Sequence, residues 1–349
     1  MIGLMRTLLG IAFWLLVWTP LAAQESVPPI TNQPWQEVVI SVTDLDTTAR
    51  FFREIGQYET KWQGAVDASE IAAWGLPVEA GGEALLLGPS GYDTGLVRLI
   101  RFDDAGRKEP IRPGARAWDT GCYFSLMVRM KGMQAIYDDA IRLGWWTETP
   151  ITYLEFGASK LNIVIYRGPD GVQVQGYERL EPPLPDAIPD FERFAGPFNV
   201  MQTVTNRDKT YAFFTEVLGF DTFYLGKPFT AKEPTPTPLG LPVSLTTTSP
   251  YRAGIVYPQA GEFGRMEMVE FMELSGHDHA ERCNAPNLGI LAARFPVDDA
   301  SAAEAAIRER GWRIDRPASG VLLPPYGAMR LFSVKAPDGA NVQFYSLDD

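Results

Sequence analysis

A chain of 349 residues with a formal net charge of −12 is long enough for two domains. A surface this acidic would repel phosphate backbones, which argues against a nucleic-acid partner. With 46% hydrophobic and 12% aromatic residues beside 28 Pro and 32 Gly, the composition is that of a globular, turn-rich chain rather than a disordered one.

The first residues carry one positive charge, Arg6. An apolar stretch over 8–18 and then Thr19-Pro20-Leu21-Ala22-Ala23 follow. This is the layout of a secretory signal peptide, its apolar stretch too short to span a bilayer comfortably. Cleavage after Ala23 and export, to the periplasm or outside the cell, are expected. The alternative is an uncleaved N-terminal anchor, but no stable membrane anchor is expected. Cys122 and Cys283 are the only cysteines, which allows one disulfide or none.

Four times along the chain a β-rich run leads into an amphipathic helix that closes at Gly. Val38-Val39-Ile40-Ser41-Val42 precedes a helix with Leu45, Ala49, Phe52 and Ile55 on one stripe, for which Asp44 and Asp46 are both plausible caps. The run 124–128 leads to Met133, Ile136, Tyr137 and Ala140, closing at Gly144. The run 200–204 leads to Tyr211, Phe214 and Val217, closing at Gly219. The run 293–297 leads to Ala303, Ala306 and Ile307, closing at Gly311, and there Ser301 and Glu304 have capping-box spacing. Short strands broken by Gly and Pro turns follow each helix, so each module reads β-α-β-β-β.

The modules form a long repeat. Val42, Phe51, Phe52 and Glu54 return 162 positions later as Val204, Phe213, Phe214 and Glu216. Gly75-Leu76-Pro77 returns as Gly240-Leu241-Pro242. Pro169-Asp170-Gly171 and Gln175 return 168 positions later as Pro337-Asp338-Gly339 and Gln343. A repeat this long is a duplicated domain. The expected organisation is α+β: two tandem domains, 34–179 and 198–349, each a cupped mixed sheet of two paired modules. A Pro-rich, acidic linker over 180–197 joins them.

With its Val42-Thr43-Asp44-Leu45 and Phe51-Phe52, their counterparts at Val204-Thr205-Asn206 and Phe213-Phe214, and the duplicated Pro-Asp-Gly, the chain resembles the vicinal oxygen chelate superfamily of glyoxalase I, bleomycin-resistance proteins and extradiol dioxygenases. The resemblance implies a pocket inside each cup, with metal ligands supplied by the first and last strands of the paired modules. Strand alternation puts those positions at Glu37, Arg101, Tyr123 and Gln175 in the first half, and at Asn199, Glu270, Ala292 and Gln343 in the second. No His stands among them, and Arg101 would compete with a cation, so no metal and no other cofactor is expected.

The expected partner is a small organic molecule, aromatic or anionic, held by Glu37, Arg101, Tyr123, Gln175, Asn199, Glu270, Arg294 and Gln343. The rival reading is a lyase, isomerase or glyoxalase-like enzyme with Glu37, Glu270 or Tyr123 as catalytic candidates. A third is an interaction module whose pockets are closed by side chains, with Glu37 and Arg101, and Glu270 and Arg294, as plain ion pairs. His277 and His279, close to Cys283, lie in a loop between modules, where polar residues are expected anyway and the spacing fixes no geometry, so a solvated loop is expected rather than a metal site. Nothing in the sequence separates a monomer from a homodimer.

Overall fold

The computed structural model describes residues 27–348 apart from positions 115 and 238. The segment read as a signal peptide, residues 1–23, lies outside the described residues. The fold is α+β, with four β-α-β-β-β modules making two cupped mixed sheets.

The pairing of the modules departs from expectation. One sheet of eight strands joins the first module to the fourth, through antiparallel pairing of Glu37–Ser41 with Gly289–Pro296. The other, of nine strands, joins the second to the third, through Tyr123–Arg129 and Asn199–Thr203. The two cups therefore do not correspond to the two halves of the sequence. Each still combines a module of the first kind with one of the second, taken from opposite halves.

What holds each half together is its helical layer. The repeated Phe pairs sit in π-helical turns, Phe51–Ile55 and Phe213–Val217, which follow the α-helices Leu45–Arg50 and Arg207–Ala212. The wider turn lets two adjacent rings face the core at once. Phe51 stacks on Trp145 at 3.8 Å between ring centroids, and Phe213 packs on Trp312 at 4.8 Å. The Pro-Asp-Gly repeat has a partner too. Asp170 accepts from the Thr43 amide at 2.7 Å, and Asp338 accepts from the Thr205 amide at 2.8 Å. The helices and the undersides of both sheets share one core containing Val38, Ile40 and Val42, so Glu37, Val39 and Ser41 point the other way, into the cup.

Helix starts follow local chemistry. Asp44 accepts from Thr47 N, and Asn206 from Lys209 N. The helix Ala300–Glu309 is capped by Asp299 rather than by Ser301. The helix Met133–Arg142 begins at Gly132, whose φ of 76° suits glycine, and Glu178 accepts from the Gly132 and Met133 amides.

Two crossovers carry the chain from one cup to the other, and they run side by side. Pro110 bridges to Leu288, Thr120 to Asp278, and a disulfide joins Cys122 to Cys283 with Cα atoms 5.4 Å apart. The histidine loop belongs to this seam. The His277 amide donates to Asp119, and His279 is buried with its ring 3.9 Å from the same carboxylate. The segment is exposed over 275–278 and packed at His279 and Cys283, a polar loop tied into the seam. Among the described residues, no three His, Cys, Asp or Glu side chains converge there or elsewhere. Among them, too, no helix is long and apolar enough to cross a membrane.

Candidate functional site

Register makes the two cups comparable residue by residue. In the eight-stranded sheet Glu37 stands opposite Arg294, Arg294 opposite Gln343, and Arg98 opposite Val39. In the nine-stranded sheet the same lattice places Asn199 opposite Met127, Met127 opposite Gln175, and Glu267 opposite Met201. Glu37 thus corresponds to Asn199, Arg98 to Glu267, Arg294 to Met127, and Gln343 to Gln175.

The first cup is filled by charge. Arg98 Nε and Arg294 Nη1 both donate to Glu37 Oε1 at 2.7 Å, while Tyr326 Oη donates to Glu37 Oε2 at 2.9 Å. Arg294 also donates to Glu70 and Gln343, each at 2.7 Å. Glu37, Arg98 and Arg294 have side chains with 0% exposure. Burial alone would raise the Glu37 carboxyl, but the two guanidiniums outweigh it and hold the pKa below the ordinary value. The helix Ala68–Ala73 supplies Glu70, and Trp74 follows it, its ring 5.5 Å from the Arg294 guanidinium. Gly75 turns the chain out again with φ 72°. The hairpin of Ile314–Leu323 and Gly327–Lys335 closes the top with Tyr326.

The second cup stays open. The matching insertion after the third module's helix runs over 226–250 and turns at Gly240, φ 74°, and its described residues form one short 3-10 helix, Val243–Leu245, rather than an α-helix. What remains is a cavity of about 570 Å³ lined by aromatic rings, among them Tyr177, Phe198, Phe223, Phe229 and Tyr251. Across its mouth Phe156 meets Tyr224 edge-on at 5.1 Å. At its floor Asn199 Nδ2 donates to Glu267 Oε2 at 2.8 Å, and Asn199 Oδ1 is buried without a partner. Burial pushes the Glu267 carboxyl up to about 7, with Asn199 and Arg265 offsetting only part. Gln175 donates to Ser125 at 2.8 Å and accepts from Tyr177 at 3.0 Å, which orients the Tyr177 ring on the wall.

Of the residues read from sequence, Glu37, Arg294 and Gln343 come together in the first cup, and Gln175 and Asn199 in the second. Three fall elsewhere. Arg101 points away from the cup and pairs with Asp103 and Glu83 at the sheet surface. Glu270 faces the helical side, accepting from the Arg207 amide and from Arg252. Both lie an odd number of residues from the true cup position, Arg98 and Glu267, and an odd slip moves a side chain to the other face. Tyr123 is displaced by a bulge, since Met201 pairs with Ser125 while Gln202 already pairs with Tyr123. Its hydroxyl donates to the Asn341 carbonyl inside the core, and Ala292 offers no donor atom. Because Arg101 and Glu270 leave the cups, neither expected ion pair forms, and Glu37 and Arg294 pair with each other instead. Arg98 and Glu267 had a visible signal: each is a lone charge in an apolar strand run, Leu96–Ile100 and Met266–Val269, where a buried charge demands a partner.

Neither donor set fits the metal that the resemblance implies. The first cup presents two guanidiniums, themselves cations, and its one central carboxylate is fully engaged. At its floor the second offers one carboxylate with a raised pKa, two amides and a thioether, with no imidazole.

No family model matches the sequence, and no curated protein matches it. Solved structures do match. Glyoxalase I from Zea mays superposes with a TM-score of 0.58 at 14% identity, over 90% of this chain and 92% of that one. A proposed dioxygenase from Bacillus subtilis superposes with a TM-score of 0.55 at 14% identity, over 90% of this chain and 86% of that one. At this identity the likeness concerns architecture, and the chain has the fold of the vicinal oxygen chelate proteins across nearly its whole described length.

Proposed function

We propose that this protein binds a small organic molecule with an apolar, aromatic-sized body in the cup of the nine-stranded sheet. The other cup serves as a structural plug. The observation that carries this reading is the contrast between equivalent positions: a sealed ion network in one cup, an aromatic-walled cavity of about 570 Å³ in the other. That volume lies in the ordinary range for small-molecule sites, and a few polar groups on an apolar wall suit orientation of a ligand. The donor sets argue for binding without the metal of the fold's enzymes.

Glu267 favours a second reading, acid–base catalysis of the lyase or isomerase kind. A carboxyl titrating near 7 beside an amide donor is suited to proton transfer. Neither Glu37, locked between two arginines, nor Glu270, paired outside the cup, is placed for it. Export remains part of the proposal. The Cys122–Cys283 disulfide supports an oxidising compartment.

The test is a fluorescence titration with N-phenyl-1-naphthylamine, an uncharged aromatic probe that brightens on leaving water. Ala253 lines the cavity, and Ala253→Phe would occupy it. Saturable binding at one site per chain, weakened at least ten-fold in a folded Ala253→Phe protein, is expected. Equal binding by both proteins, or none by either, would overturn the reading.

A further inference from the structure

One wall of the cavity holds three arginines of the nine-stranded sheet: Arg129 and Arg179 on adjacent strands, and Arg265 two strands from Arg129. Two of them share one carboxylate at the rim. Arg129 donates to Glu262 Oε2 at 2.6 Å and Arg265 to the same oxygen at 3.3 Å. Arg179 has no ion-pair partner among the described residues. Three buried donors on this wall lack any acceptor: Arg129 Nη1, Arg179 Nε and Arg265 Nε. The Arg129 side chain is only 5% exposed, so solvent does not satisfy it. Rings hold two of the guanidiniums in place, Phe198 at 4.1 Å from Arg129 and Phe223 at 4.0 Å from Arg265.

Guanidiniums crowded together repel one another, and unpaired buried donors are costly. Burial, with Arg265 and Arg179 nearby, lowers Arg129 to about 10 despite Glu262. In a chain of formal net charge −12, so local an excess of positive charge is directed at something. We propose that the ligand of this cavity is an organic carboxylic acid, its carboxylate seated on Arg129, Arg179 and Arg265 and its apolar body among the rings. This rests on the reading of the nine-stranded cup as a binding site. A planar carboxylate matches the fork of a guanidinium, and it would satisfy the orphaned N–H groups together.

Competition against bound N-phenyl-1-naphthylamine tests it with three displacers: 2-naphthoate, its uncharged isostere 2-naphthamide, and inorganic phosphate. Naphthoate should compete at least ten-fold better than naphthamide, and phosphate should not displace the probe. In Arg179→Gln the advantage of naphthoate should shrink below three-fold with naphthamide unchanged, and Arg179→Lys should restore part of it. Equal competition by naphthoate and naphthamide in the parent protein would overturn the proposal while leaving the cavity reading intact. Displacement by phosphate alone would overturn the organic-acid assignment. Failure of the probe to bind would overturn both.

Discussion

Glu37 and Arg294, 257 residues apart in sequence, meet at 2.7 Å on the seam that joins the first module to the fourth. Arg98 reaches the same carboxylate oxygen at the same distance. The three side chains form the centre of a sealed network at the positions where the other cup has Asn199, Glu267 and Met127. The duplication therefore yielded two sheets of one design whose interiors diverged in opposite directions, one closed by charge and the other kept hollow.

Replacing Glu37 by Gln should leave Arg98 buried without its paired carboxylate and Arg294 with Glu70 alone. We expect a loss of about 3–5 kcal/mol in unfolding free energy at pH 7, measured by denaturant titration. Because the folded pKa of Glu37 is lowered, its contribution is present above the unfolded value near 4.5. It should fade as pH falls through the lower folded value. A loss below about 1 kcal/mol would mean that the network does not hold the cup together.

Glu267 should behave with the opposite sign. Its folded pKa of about 7 lies above the ordinary value of 4.5, so the protonated form favours folding and its contribution is lost as pH rises from roughly 4.5 to 7. Glu267→Gln, which mimics the protonated form, should melt close to the parent at pH 4.5 and above it at pH 8. A melting difference that stays constant over that interval would show that the carboxyl is not perturbed.

The Cys122–Cys283 disulfide closes a loop of 161 residues and ties the two crossovers together. Its removal by the double change to Ser should cost about 2–5 kcal/mol of stability while leaving probe binding intact, since neither sulfur lines the cavity. Unchanged stability would show that the crossovers are held by their backbone pairing alone.

Much of this architecture was legible in the sequence because local chemistry decides it. The paired phenylalanines marked two helices, and Pro-Asp-Gly marked the turn before each last strand. Which module pairs with which was not legible. Modules of one kind present similar edge strands, and the choice is made by crossovers over 104–122 and 272–288, whose polar sequence carries no pairing code. The site residues failed on face rather than on strand. Arg101 and Glu270 lie on the strands that hold Arg98 and Glu267, three positions along, and Tyr123 is turned inward by a bulge that no alternation pattern reveals.

Hydrogen exchange with and without N-phenyl-1-naphthylamine reads both cups in one experiment. If the open cup takes the probe, exchange slows in the segments lining the nine-stranded cup, 221–229, 251–257 and 265–271. No change is expected in 37–41 and 289–296, where the ion network leaves no room. Slowing in these last two segments, or an equal response in both sheets, would contradict this.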